Sequence, residues 1–265
     1  MLRKFLGILF VFSCALAVAQ STSPDALYQR GMEAITGVGP SRNDQLGMDY
    51  FRRSAELGYG PAQIALAYYY ETGTFVAKDE AKALDLYKKA AQTGDPLAAW
   101  LAGRLYFKGG DVPRDLDAAQ KWLKISASQN NAYGAYLLGR VMADRDYTKA
   151  PALFKIAAEQ GLPQAQYLYG KALKDGRGIP ADRFEADVWL AIALDAGYSI
   201  AGADLGALES GGYFTQDQVL QARTKSRDME QVVIRAVTSR GCSGWDGEFD
   251  EMPTPPPPKL QGFCH

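Results

Sequence analysis

Histidine, the commonest general base and a frequent metal ligand, occurs once in these 265 residues, as His265 at the C-terminal end. A nucleophile–imidazole–carboxylate triad needs an imidazole beside its nucleophile, and a histidine-rich metal site needs several. One terminal histidine argues against both. Gly170 and Gly176 are separated by five residues rather than a P-loop's four, and no Lys-Ser/Thr pair follows them. No Gly-x-Ser-x-Gly elbow occurs. Asp144 and Asp146 have the spacing that opens a calcium loop, but the remaining oxygen ligands are missing. The 30 acidic residues are spread along helical patterns, where carboxylates ordinarily form a solvated face. These residues point away from an enzyme, and no cofactor or metal is expected.

The chemistry left is that of binding. Arg104, Arg140 and Lys171 recur at intervals of 36 and 31 residues, and Trp100, Tyr136 and Tyr167 each stand four residues before one of them. Tyr68 holds the same place one interval earlier, with Met32 and Ala207 at the ends of the column. Arginines and large aromatics are the usual anchors of protein interfaces. We therefore take Tyr68, Trp100, Arg104, Tyr136, Arg140 and Lys171 as candidate partner-binding residues. The tyrosines are equally suited to packing between repeats, and the cations to a solvated face.

An internal repeat must position this column. Small residues recur at Gly31, Ala67, Gly103, Gly139, Gly170 and Gly206, with intervals of 36, 36, 36, 31 and 36. A second column, Gly58, Gly94, Asn130, Gly161 and Gly197, shortens by the same five residues at the same place. Apolar residues within each interval follow helical spacing: Ala62, Leu66, Ala67, Tyr69 and Tyr70 in a first helix, and Ala83, Leu86, Tyr87, Ala90 and Ala91 in a second. Glycine inside a helix costs about 1 kcal/mol against alanine, so its recurrence predicts close helix–helix approach. The second column predicts left-handed C-caps, and Pro61, Pro96 and Pro163 predict helix starts. Asp79, Asp115 and Asp182 are placed to cap second helices. Thr215 and Gln218 form a capping box opening a long polar helix toward Arg240.

The pattern Ala-x4-Gly-x2-Tyr, a Gly-rich loop ending in Asp, Ala-x2-Trp/Leu, and Ala-Ala-x2-Gly resembles the Sel1-like repeat family, a relative of the tetratricopeptide repeat with a longer loop. Four good units span Pro61 to Ser199. A degenerate one precedes them from Asp25 to Tyr59, with Ala34 in place of its aromatic, and a capping half-unit follows from Ile200. The resemblance implies an all-α fold, a right-handed α-α solenoid of helix pairs with a long C-terminal capping helix. It also implies an extended concave surface lined by first helices. Exported proteins of this kind act as adaptors and regulators, and some as immunity proteins against type VI secreted toxins such as phospholipases. The resemblance thus implies a protein–protein interaction module whose partner is a toxin or an envelope regulator.

The termini concern compartment. Arg3 and Lys4 precede an uncharged apolar run from Phe5 to Ala19, too short to span a bilayer, and Ala17-Val18-Ala19 offers small residues for cleavage. Residues 1–19 read as a signal peptide. Lipidation at Cys14 is the rival reading, disfavoured by bulky Phe12. A periplasmic or secreted location follows, with no stable membrane insertion after cleavage and a monomer when free. The net charge of −1 carries no basic footprint for nucleic acid. Residues 20–240 form the repeat region and 241–265 a tail with a Pro253–Pro258 proline-rich run. Cys242 and Cys264 are expected to close that tail as a disulfide, two free thiols being the alternative. The tail either packs on the last helix or displays Trp245 and Phe249 to a partner.

Overall fold

Apolar residues at helical spacing, broken every dozen or so residues by a glycine, asparagine or capping aspartate, dictate short helices joined by tight turns. The computed structural model describes residues 23–37 and 42–239. The readings on the signal peptide, Cys14, the Cys242–Cys264 bridge and the proline-rich tail lie outside the described residues. Twelve α-helices and one 3-10 turn make up the described residues, with no strand among them. They group into two compact units, residues 23–98 and 99–239.

The first unit holds α1 (Pro24–Thr36), α2 (Asp44–Glu56), α3 (Gly60–Thr72) and α4 (Glu80–Gln92). Helix α1 packs on α2, α2 on α3, and α3 on α4. Its core is largely aromatic: the Phe51 ring lies 5.5 Å from Tyr28 and 5.9 Å from Tyr69, and Tyr69 lies 5.3 Å from Phe75. Burying each such side chain contributes about 1.5–3 kcal/mol. Helix α5 (Pro96–Lys108) crosses the unit boundary. The second unit continues with α6 (Leu116–Ser128), α7 (Ala132–Arg145), the 3-10 turn Tyr147–Lys149, α8 (Ala150–Glu159), α9 (Pro163–Asp175), α10 (Arg183–Asp195), α11 (Ala201–Ser210) and α12 (Gln216–Ser239). Here Asp146 caps the 3-10 turn through the Thr148 N–H at 3.2 Å, and this turn replaces the five-residue-longer loop of the other repeats.

Both glycine columns have physical causes in the packing. A Cβ on Gly31 would stand 2.7 Å from Phe51 Cε1, on Gly103 2.6 Å from Leu123 Cγ, on Gly139 2.6 Å from Phe154 Cε1, and on Gly170 3.1 Å from Leu190 Cγ. At Gly31, Gly103 and Gly139 the first helix therefore lies against its own second helix closer than a Cβ permits, at Gly170 the approach is tight, and α3 carries Ala67 at the same place. Gly206 departs from the pattern, since a Cβ there would meet nothing within 4 Å. The reason is the capping helix: α12 packs on α10 and does not occupy the place of a second helix beside α11. The second column has positive φ throughout, from 60° at Asn130 to 94° at Gly94. After it the chain closes as a Schellman turn, with Tyr59 N–H donating to Ser54 O, Asn131 N–H to Ser126 O, Leu162 N–H to Ala157 O and Tyr198 N–H to Ala193 O.

The caps fall where the sequence places them. Asp79 accepts from Lys82 N–H, Asp115 from Asp117 and Ala118 N–H, and Asp182 from Glu185 N–H, all at 2.9 Å. Asn43 does the same for α2, a cap that the degenerate first repeat obscures in the sequence. The Thr215–Gln218 box is reciprocal: the Thr215 N–H donates to Gln218 Oε1 at 2.9 Å, and the Gln218 N–H to Thr215 Oγ1 at 3.2 Å.

Candidate functional site

The first helices α3, α5, α7 and α9 carry the column singled out in the sequence, one residue past the close-approach glycine or alanine. Its members differ in what covers them. Tyr68, in the first unit, is 1% exposed, edge-on to Tyr69 at 5.7 Å. Burial, aided by the nearby Glu71 carboxylate, pushes its phenol up to about 12. It is a core residue of the first unit.

The remaining five lie in the second unit. Trp100 is 1% exposed, its ring 5.2 Å from Tyr133 of α7. Arg104 lies over Trp100 at 5.8 Å and is 3% exposed, so it belongs to the packed layer and not to a solvated face. Tyr136 is 6% exposed, 6.4 Å from Phe154. Arg140 and Lys171, in contrast, are half-buried. The Arg140 guanidinium stands 5.1 Å from the Phe107 ring and 5.9 Å from the Tyr136 ring. Lys171 Nζ lies 5.7 Å from the Tyr167 ring and 3.4 Å from its hydroxyl. The partly open cations thus rest on aromatic rings, Arg140 on Phe107 and buried Tyr136, Lys171 on half-buried Tyr167.

At its far end the row meets an acid. Tyr167 donates to Asp204 Oδ2 of α11 at 2.9 Å, and Lys174 pairs with the other carboxylate oxygen. Burial pushes the Asp204 carboxyl up, but the bonds from Lys174 and Tyr167 and the charges of Lys174 and Lys171 outweigh it and hold the group below the ordinary carboxylate range. Burial and that same bond to Asp204 raise the Tyr167 phenol to about 12. Tyr167 therefore stays protonated and remains a donor at neutral pH.

Several contributors escape a reading of the column alone. Phe107, three residues past Arg104, supplies the ring that Arg140 covers. Arg114, in the loop after α5, donates from Nε to the Phe107 carbonyl at 3.1 Å, lies 5.7 Å from its ring, and reaches Asp144 at 3.6 Å. The available signal was a cation directly before a capping aspartate, as at Lys78-Asp79 and Arg114-Asp115. Gln63 and Gln166, at matching places in α3 and α9, each donate from Nε2 to a carbonyl of the preceding second helix, Ala55 O at 3.2 Å and Ala158 O at 3.3 Å. They tie successive repeats together. Among the described residues, no group of three or more His, Cys, Asp or Glu is placed to hold a metal ion, and no helix is long and apolar enough to cross a membrane.

Comparison with known proteins bears on the architecture. The family model described as Sel1 repeat matches residues 24–59, 60–95, 96–131, 132–162 and 163–198, well over half of the chain. The degenerate first unit is thereby counted as a full repeat. An uncharacterized protein of Neisseria meningitidis serogroup B is 29% identical over 188 residues, covering 70% of this chain. The chain spans only 39% of that relative's length. Among solved structures, a protective antigen of uropathogenic Escherichia coli displaying an SLR fold is similar at 24% identity and TM-score 0.71, covering 87% of this chain and 51% of its own. A Sel1 repeat protein from Oxalobacter formigenes is similar at 24% identity and TM-score 0.63, covering 78% and 88%. These two likenesses show the fold, an all-α solenoid of helix pairs. An immunity protein of Pseudomonas aeruginosa is similar at 20% identity and TM-score 0.43, covering 80% and 81%, too distant a likeness to bear on function.

Proposed function

The chain belongs to the Sel1 repeat family, and from that premise we propose that it is a non-catalytic protein–protein interaction module of the periplasm, binding its partner on the first-helix row of residues 99–239. One observation carries this reading. Arg140 and Lys171 stand at the same place in consecutive repeats, each half-buried and each held against aromatic rings. A stacked arginine or lysine loses little side-chain freedom on binding, and such cation–aromatic pairs recur among interface anchors. Trp100, Tyr136 and Arg104 support this surface from below, and Tyr68 stabilises the first unit. The periplasmic location rests on the N-terminal sequence pattern.

The test is co-purification. The mature chain, residues 20–265, is crosslinked in its own periplasm and recovered beside a variant carrying Arg140→Glu and Lys171→Glu. A stoichiometric protein lost from the variant is the expected result. If that protein is a secreted toxin, the module is an immunity protein; if it is an envelope sensor or its ligand, the module is an adaptor or regulator. Equal recovery by both chains, or no partner with either, counts against the proposal.

A further inference from the structure

The surface around Arg140 has a charge imbalance that narrows the chemistry of what binds there. The Phe107 ring is approached by two guanidinium groups, Arg114 from its own repeat's loop and Arg140 from the next first helix. Arg114 has a carboxylate at 3.6 Å, that of Asp144, with both side chains more than half exposed. Arg140 makes no ion pair among the described residues, and its guanidinium lies against the Phe107 and Tyr136 rings. One repeat on, Lys171 makes no ion pair among the described residues: its Nζ lies 3.4 Å from the Tyr167 hydroxyl, and its charge acts on Asp204, which already pairs with Lys174. Some exposed second-helix cations have acids at hand, Lys89 with Asp85 at 2.7 Å, Lys82 with Asp79 at 3.0 Å and Lys155 with Glu159 at 3.6 Å; what sets Arg140 apart from an unpaired exposed cation such as Lys124 is its partial burial against two rings.

A half-buried guanidinium is costly to leave without an anion, because partial desolvation raises the cost of its charge. Two rings within 6 Å hold the guanidinium in place, and a planar guanidinium fork accepts a carboxylate through two parallel hydrogen bonds. We propose that Arg140, with Arg114 and Lys171 beside it, receives the carboxylates of an acidic segment of the partner protein, and that the Phe107 ring packs against an apolar residue of that segment. The proposal rests on the interaction-module reading above and gives that site's partner a chemistry. Arg140 is the anchor, since it alone combines partial burial, two rings and a planar fork. Lys171 adds a point charge one repeat along, and Arg114 exchanges Asp144 for the incoming acid.

The experiment uses the mature chain and a fluorescein-labelled dodecapeptide of alternating Glu and Ala with a central Phe. Its counterpart has Gln at every Glu. Fluorescence anisotropy is read at two salt concentrations. The acidic peptide should bind at least about tenfold more tightly than the Gln peptide, and its affinity should fall as salt rises. Arg140→Gln should lower that affinity about tenfold or more. Arg140→Lys keeps the charge, loses the fork, and should fall between. Lys124→Gln, on the exposed face of second helix α6, should change nothing. Melting curves of each variant, matched to the parent, verify that binding and not folding is read. Equal binding of the two peptides overturns the proposal, as does equal loss at Arg140 and Lys124, or binding confined to vesicles of anionic lipid. If the acidic peptide fails while the periplasmic partner is still captured through Arg140 and Lys171, the acidic chemistry is wrong and the module reading stands.

Discussion

Arg104 and Arg140 occupy the same place in consecutive repeats, yet one is enclosed and the other half open. Arg104 packs over Trp100 of its own helix, a ring that Tyr133 of the next first helix meets in turn, whereas Arg140 lies across Phe107 of the preceding first helix. A repeat column read from sequence reports which way a residue points but not which side chains of another repeat will cover it. The candidate site was therefore only partly legible. The close-approach glycines were legible because steric exclusion is local to a helix pair, and they yield a test. Gly139→Ala would put a methyl 2.6 Å from Phe154 Cε1 and should destabilise the protein by about 1–3 kcal/mol. Gly206→Ala, in the same column but with open space around it, should stabilise by about 0.5–1 kcal/mol. Urea unfolding of the two variants beside the parent measures both signs, and destabilisation at both would show that α12 packs against α11 after all.

At the scale of elements, caps and turns follow closely from the sequence because each is decided by one or two side chains. The attachment of the capping helix does not, because it depends on residues far apart in the chain. Arg223 of α12 reaches Asp187 of α10 at 2.9 Å and also pairs with Glu209 of α11, while Lys225 pairs with Glu185. Asp187 is fully buried, and burial pushes its carboxyl above the ordinary range despite the opposing influence of Arg223. A carboxylic acid with a raised folded pKa holds its proton more firmly when folded, so its contribution to stability falls as pH rises through the carboxylate range. Asp187→Asn should accordingly gain stability relative to the parent between about pH 4 and pH 7. Arg223→Met leaves the buried carboxylate alone and should cost roughly 3–5 kcal/mol near neutral pH, less when Asp187 is protonated. Denaturant titrations at the two pH values would read both trends. An Arg223→Met penalty that does not change with pH would mean that the arginine acts through Glu209 or through packing, and not through Asp187.

At the scale of the whole molecule, repetition supplies the fold and irregularity supplies the candidate site. Packed positions recur almost unchanged from repeat to repeat, as Ala83, Ala119, Ala150 and Ala186 do, all fully buried. The column beside the close-approach residue instead changes type and exposure, from enclosed Tyr68 through Arg104 to half-open Arg140 and Lys171. Such variation on a fixed frame is how one architecture serves many partners, and it is why the family assignment settles the fold while the partner must come from the surface. The central claim is that the first-helix row is the face used. It is tested most directly by placing a photo-crosslinking residue at Lys108, exposed at the end of first helix α5, and in a second chain at Lys124, exposed on second helix α6. In cells, the account predicts a crosslinked partner from the Lys108 position and none from Lys124, with the Lys108 adduct lost when Arg140 is reversed to Glu. Crosslinks from Lys124 alone, or a Lys108 adduct indifferent to Arg140, would contradict it.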